Sequence, residues 1–196
     1  MIGFSMILHS VLLGIALAMD AFSVSAVNGL AEPHMRKTKA AGIAGTFALF
    51  QIVMPLVGWF CVHTIAEEFA AVQPFIPWAA FLLLLYIGGK MLIDGFRRKE
   101  AEEQPTVGFW GLILQGIATS IDALSVGFTI AELSFREALY EALIIGAVTF
   151  LICIGGVKIG KVFGTKFSGK AYVIGGCILV AIGLKILFEH LGWLPF

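Results

Sequence analysis

Charge is what this sequence has least of. Charged residues make up 13% of the chain, about half of the roughly 25% usual in soluble domains. Lys and Arg balance Asp and Glu at 13 each, so the net charge is zero and nothing points to nucleic acid as a partner. Cysteine is also scarce. Cys61, Cys153 and Cys177 stand far apart in apolar runs, with no CxxC pair and no zinc spacing, and read as small packing residues. The opening "MIGFSMILHS" lacks the basic stretch of a secretory signal and reads as the start of a retained span. Low-complexity segments are missing, as is any polar stretch long enough for a soluble domain. Hydrophobic residues fill the chain instead, at 59% and a mean hydropathy of +0.97. They form long runs, so the class is integral membrane protein, with the lipid bilayer as its surroundings.

A membrane helix needs about 20 apolar residues. Six segments reach that length: 6–30, 41–65, 75–96, 107–131, 138–162 and 171–193. Polar breaks separate them: "EPHMRKTK", "EEFAAVQP", "RRKEAEEQP", "ELSFRE" and "KFSGK". Loops 1–2, 3–4 and 5–6 share one side. They carry Arg36, Lys37, Lys39, Arg97, Arg98, Lys99, Lys158, Lys161, Lys166 and Lys170, whereas the other side carries Arg136. Basic residues stay in the cytoplasm, so both termini are expected outside.

The apolar runs contain a repeat. "GIALAMDAFSVSA" (14–26) and "GIATSIDALSVGF" (116–128) agree at seven of thirteen positions, at an offset of 102 residues. Gly58 maps to Gly160 at the same offset, and "GGKMLID" (88–94) maps to "GLKILFE" (183–189) at an offset of 95. The chain therefore reads as an all-α membrane protein, a single membrane domain over 1–196. Its six transmembrane helices form two inverted three-helix repeats, 1–98 (helices 1–3) and 106–196 (helices 4–6). Three is odd, so the second copy crosses in the opposite sense, as in secondary transporters.

Asp20 and Asp122 occupy matched places near the middle of spans 1 and 4, roughly 5 Å from the midplane. A carboxylate there costs on the order of 2.5–3.5 kcal/mol to insert, so two at matched positions call for an offsetting role. Ser23 and Ser125 lie three residues after them, and Thr119 and Thr129 share the Asp122 face. Asn28 lies further along span 1, and spans 2 and 5 add Thr46, Gln51 and Thr149. The candidate metal site is Asp20, Asp122, Ser23, Ser125, Thr119, Asn28 and Gln51. Carboxylate, hydroxyl and amide oxygens without His or Cys suit hard divalent ions such as Mg²⁺, Ca²⁺ or Mn²⁺. Met19 and Met54 are read as core residues. Lys90 with Asp94, and Lys185 with Glu189, are i,i+4 pairs that read as local ion pairs or as groups balancing the two aspartates when no cation is bound.

Five stretches, "LAMDAFSVS", "FQIVMPLVGWF", "GGKMLIDGFR", "ATSIDALSVG" and "GGCILVAIGLKIL", together resemble the bacterial manganese efflux pump family (MntP type) of the lysine-exporter superfamily. The resemblance runs in order along nearly the whole chain. It implies six helices in the bacterial inner membrane, export of Mn²⁺, and a need for Asp20 and Asp122 in transport. Mn²⁺ is then the transported substrate, and no cofactor is held permanently. Some members carry an acidic residue where this chain has Gln51, and Lys158 in "GGVKIG" also departs from the pattern.

The alternatives are an exporter of another divalent cation, or of an amino acid or organic cation. An intramembrane aspartyl protease also uses two membrane aspartates, but "ATSIDAL" is no GxGD-type motif, and the chain reads as a non-enzyme. Small-residue faces such as Gly14, Ala16 and Ala21 allow close helix contacts and a homodimer without requiring one.

Overall fold

An apolar run in lipid must satisfy its own backbone N–H and C=O groups, and the α-helix does so within one segment. The computed structural model describes residues 4–64, 75–97, 108–166 and 171–191. Among them every regular element is helical: α1 (Phe4–Ala31), α2 (Lys37–Thr64), α3 (Ile76–Arg97), α4 (Phe109–Thr119), α5 (Ile121–Thr129), α6 (Phe135–Lys166) and α7 (Ala171–His190). Met6–Ala31, Lys37–His63, Phe109–Thr129 and Phe135–Thr165 are long and apolar enough to cross a membrane. The apolar parts of α3 and α7 are shorter, Phe81–Ile93 and Val173–Phe188.

The expected fourth span is broken. It consists of α4 and α5, separated at Ser120, where φ is −114° and ψ is 10°. The fifth span runs past its expected end at 162 to Lys166, and Lys158 and Lys161, counted with the basic loop, lie within the helix.

Small residues set the packing. α1 packs most extensively on α6, α3 on α7, and α2 on both α5 and α6. Gly156, Gly160 and Gly164 present one bare stripe of α6 to Phe22, Ala26 and Leu30 of α1. Gly58 of α2 faces Leu124 and Gly127 of α5, and Gly88 of α3 faces Gly176 of α7. With no Cβ at these crossings the backbones approach closely, which replaces the hydrophobic drive that lipid cannot supply. Leu84, Phe47, Val24, Val27, Ile145 and Leu179 are buried, whereas Leu12, Leu49, Phe60, Leu82, Trp110 and Leu151 form an exposed apolar exterior suited to lipid. Cys61 and Cys153 are buried as expected, and Cys177 is exposed on α7.

The ends are tied by polar contacts. Glu32 pairs with Lys39 across the α1–α2 turn. Lys161 Nζ donates to the Met35 carbonyl at 2.7 Å, fixing α6 to that turn. Thus Lys161, expected on the cytoplasmic side with the first loop, does meet that loop. At the opposite end, Trp59 Nε1 donates to the Leu133 carbonyl at 3.0 Å, and its ring stands edge-on to Phe135. Glu137 accepts from the Ser134 N–H and hydroxyl, capping the first turn of α6.

Candidate cation site

The break in the fourth span is repaired by its own hydroxyls. The Thr119 hydroxyl donates to the Gln115 carbonyl at 2.9 Å. The Ser120 hydroxyl donates to the Gly116 carbonyl at 2.8 Å, and the Ser120 N–H turns back to the Ile117 carbonyl. Such back-bonding bends a helix. Here it ends α4 and restarts α5 immediately before Asp122, whose Oδ1 accepts the Ala123 N–H at 2.8 Å.

Gln51 joins the two aspartate helices. Its Nε2 donates to the Leu17 carbonyl of α1 at 3.1 Å and to the Thr119 carbonyl of α4 at 3.3 Å. Each contact lies three residues before an aspartate. Gln51 is buried, and its Oε1 has no protein partner. Pro55, one turn on, has no N–H to give the Gln51 carbonyl, so that carbonyl loses its helical donor as well. Replacing Gln51 with Leu is expected to remove the tie between α1 and α4, while the Leu17 carbonyl keeps its helical donor, the Ala21 N–H. A net loss of about 0.5–1.5 kcal/mol for each hydrogen bond removed would appear as a lower melting midpoint of the purified protein.

Asp20 is paired with Lys185 of α7. Nζ lies 3.3 Å from Oδ1, with side-chain exposures of 49% for the lysine and 18% for the aspartate. Asp122 lies within Coulombic reach of both Asp20 and Lys185. Asp122 and Ser125 are accessible, and Ser23 is half-buried with its hydroxyl on the Met19 carbonyl at 3.0 Å. Asp20 of α1, Asp122 of α5 and Lys185 of α7 therefore lie within electrostatic reach of one another.

Other expected members stand apart. Asn28 Nδ2 donates to Gln115 Oε1 at 2.9 Å. That buried pair sits two helical turns, about 12 Å, along α1 from Asp20. The Thr119 hydroxyl is occupied by its own helix. Thr46 bonds the Gly42 carbonyl, and the Thr149 hydroxyl is buried without a protein partner. Lys90 is exposed on α3, while the side chains of Asp94 and Glu189 lie outside the described residues. Among the described residues, no three His, Cys, Asp or Glu side chains gather as a ready-made metal centre. The sequence reading missed Gln115, and it missed Glu141, a buried acid on α6 whose Oε1 lies 3.2 Å from His9 Nδ1. An isolated acid inside a predicted span was the available signal for Glu141.

Apolar helices of spanning length and a polar, charged site between them define a multi-pass α-helical membrane protein. Residues 34–187 match the family model described as "Putative manganese efflux pump". Proteins named "Putative manganese efflux pump MntP" are similar over nearly full length. The one from Methanobrevibacter smithii is 39% identical over 92% of this chain and 96% of its own. That from Gloeothece citriformis is 39% identical over 95% and 97%, and that from Bifidobacterium adolescentis is 37% identical over 96% and 100%. The chain belongs to the manganese efflux pump family. No solved structure matches it.

Proposed function

We propose that this chain is a secondary transporter of the bacterial inner membrane, with both termini outside, that exports Mn²⁺ through a midplane site built on Asp20 and Asp122. The observation that carries this reading is the Lys185–Asp20 pair at 3.3 Å, with Asp122 in reach of both charges. A mid-span carboxylate needs a cation, and Lys185 supplies one from within the chain. An incoming divalent ion takes over Asp20, gains Asp122, and displaces the ammonium. Ser23 and Ser125 add hydroxyl oxygens. As the ion leaves, Lys185 returns to Asp20 and again balances that carboxylate.

The helix crossings support an inverted repeat. Gly160 meets Ala26, while Gly58, its counterpart 102 residues earlier, meets Gly127, the counterpart of Ser25 beside Ala26. Gly88 meets Gly176, and their counterparts 95 residues away, Gly183 and Phe81, also meet. A pseudo-twofold relation of this kind lets one half rock against the other about a central site.

Lys185→Gln is expected to remove the internal competitor. Mn²⁺ should bind several-fold more tightly, where each tenfold is about 1.4 kcal/mol, and turnover should slow because nothing drives the ion off. Binding and transport by the purified variant in liposomes check this. Unchanged binding would remove Lys185 from the cycle. The same contact supports a second reading, since a site that accepts the alkylammonium of Lys185 has the chemistry for an organic cation. Competition between free lysine and Mn²⁺ separates the two.

A further inference from the structure

We propose that His9 and Glu141 form a proton-binding station on the side of the membrane where α1 begins and α6 begins, and that this station makes export respond to the pH on that face. The proposal rests on the transporter reading above and adds a second ligand, the proton, at a separate place.

Glu141 lies six residues after Phe135, the first residue of α6, inside the apolar stretch Phe135–Thr165. Its side chain is 3% exposed. An ionised carboxylate so placed must be paired or protonated. Its partner is His9, 3.2 Å away and 70% exposed. A histidine exchanges protons with water near neutral pH. The pair holds one proton in either of two arrangements, imidazolium with carboxylate or imidazole with carboxylic acid, both without net charge. A further proton from bulk water gives imidazolium beside carboxylic acid, and its loss returns the pair to neutrality. The exposed ring stands near the outer end of α1, and the buried acid faces the protein.

The placement links this station to the cation site. His9 and Asp20 are eleven residues apart on α1, which leaves them within about 20° of the same face and roughly 16 Å apart along the axis. On α6, Thr149 follows Glu141 by eight residues, and its buried hydroxyl has no protein partner. Gly14 of α1 packs on Ile145 and Val148 between the two levels. One face of α1 thus carries His9 at the outer level and Asp20 at mid-span, while Thr149 stands about 80° round α6 from Glu141.

The other ionisable groups at this end are differently engaged. His63 of α2 is exposed, stacked on Trp59, with Nδ1 2.8 Å from the Trp59 carbonyl. Glu137 holds Ser134, and Glu132, Arg136 and Tyr140 are exposed. Among the described residues, His9 is the ionisable partner of Glu141.

The test uses the full chain in liposomes, with Mn²⁺ flux followed while the pH on the terminus-bearing face is varied from about 5.5 to 8, the range that spans histidine titration. Wild-type flux is expected to change by up to about tenfold per pH unit where a single proton controls it. Glu141→Gln should flatten the profile, and His9→Asn should move its midpoint. A wild-type profile in Glu141→Gln would overturn the proposal. If that variant does not fold, His9→Asn, at an exposed position, carries the test, and an unmoved profile overturns the proposal equally. A readout independent of transport is the ring resonance of His9 in labelled, metal-free protein. It should titrate in a form that Glu141→Gln alters, and identical titrations in both proteins would overturn the station. Asp20→Asn separates the two readings. Normal flux in that variant defeats the cation site, while the His9 titration still reports on the station.

Discussion

Asp20→Asn and Asp122→Asn are each expected to stop Mn²⁺ export. In an export-deficient bacterium under manganese stress, the wild-type chain is expected to lower cellular Mn²⁺, and either variant to lose at least about tenfold of that activity, or 1.4 kcal/mol. Asparagine keeps the shape of aspartate, so packing around α1 and α5 is retained. Removing a mid-span charge also makes membrane insertion easier rather than harder. Loss at matched membrane expression therefore reports on the charge itself. Asp20→Asn additionally leaves the Lys185 ammonium without its carboxylate. If both variants export as well as wild type, the aspartates have a structural role alone.

The second large effect concerns the glycine crossings. Gly160→Leu is expected to destroy the packing of α1 on α6. Even a Cβ at Gly160 would run into the Ala26 carbonyl, with the Leu30 N at 2.9 Å, so the obstacle is backbone that cannot turn aside. The cost belongs at the top of the ~1–3 kcal/mol range for overpacking, or beyond it. Gly58→Leu should behave alike, because the Leu124 carbonyl and Gly127 stand where its side chain would go. Gly155 is the control. A Cβ there meets nothing within 4 Å, and Gly155→Ala should stabilise α6 by up to about 1 kcal/mol through helix propensity. Its neighbour Gly156 has the Phe22 carbonyl at 2.7 Å from such a Cβ, so Gly156→Ala should destabilise. Melting midpoints of the purified variants check all four, and equal effects at Gly155 and Gly156 would contradict the packing described.

Much of this was legible because membrane sequences obey few, strong constraints. Apolar length gave the helices, and the duplicated "DA.SV" pattern singled out Asp20 and Asp122 before any contact was seen. The break at Ser120 was harder to read. No Pro or Gly marks it, and it depends on Thr119 and Ser120 hydroxyls choosing backbone partners one turn back. Asn28 stands about 80° round α1 from Asp20 and belongs to Gln115, a pairing set by the antiparallel register of α1 and α4. The sequence offered Lys185 either Glu189 or the aspartates, and in three dimensions its ammonium reaches Asp20, 165 residues away. Helical spacing shows which residues share a face; it does not show which helix that face meets.

The central claim is that Asp20 and Asp122 hold one cation between them. It is tested most directly by titrating the purified, membrane-reconstituted chain with Mn²⁺ and counting bound ions by electron paramagnetic resonance. Wild type, Asp20→Asn, Asp122→Asn and the double variant would be compared. One shared site predicts one tightly bound Mn²⁺ per wild-type chain, weakened in each single variant and hardly weaker still in the double. Two independent sites would instead give two ions in wild type and one in each single variant, and that result would contradict the account.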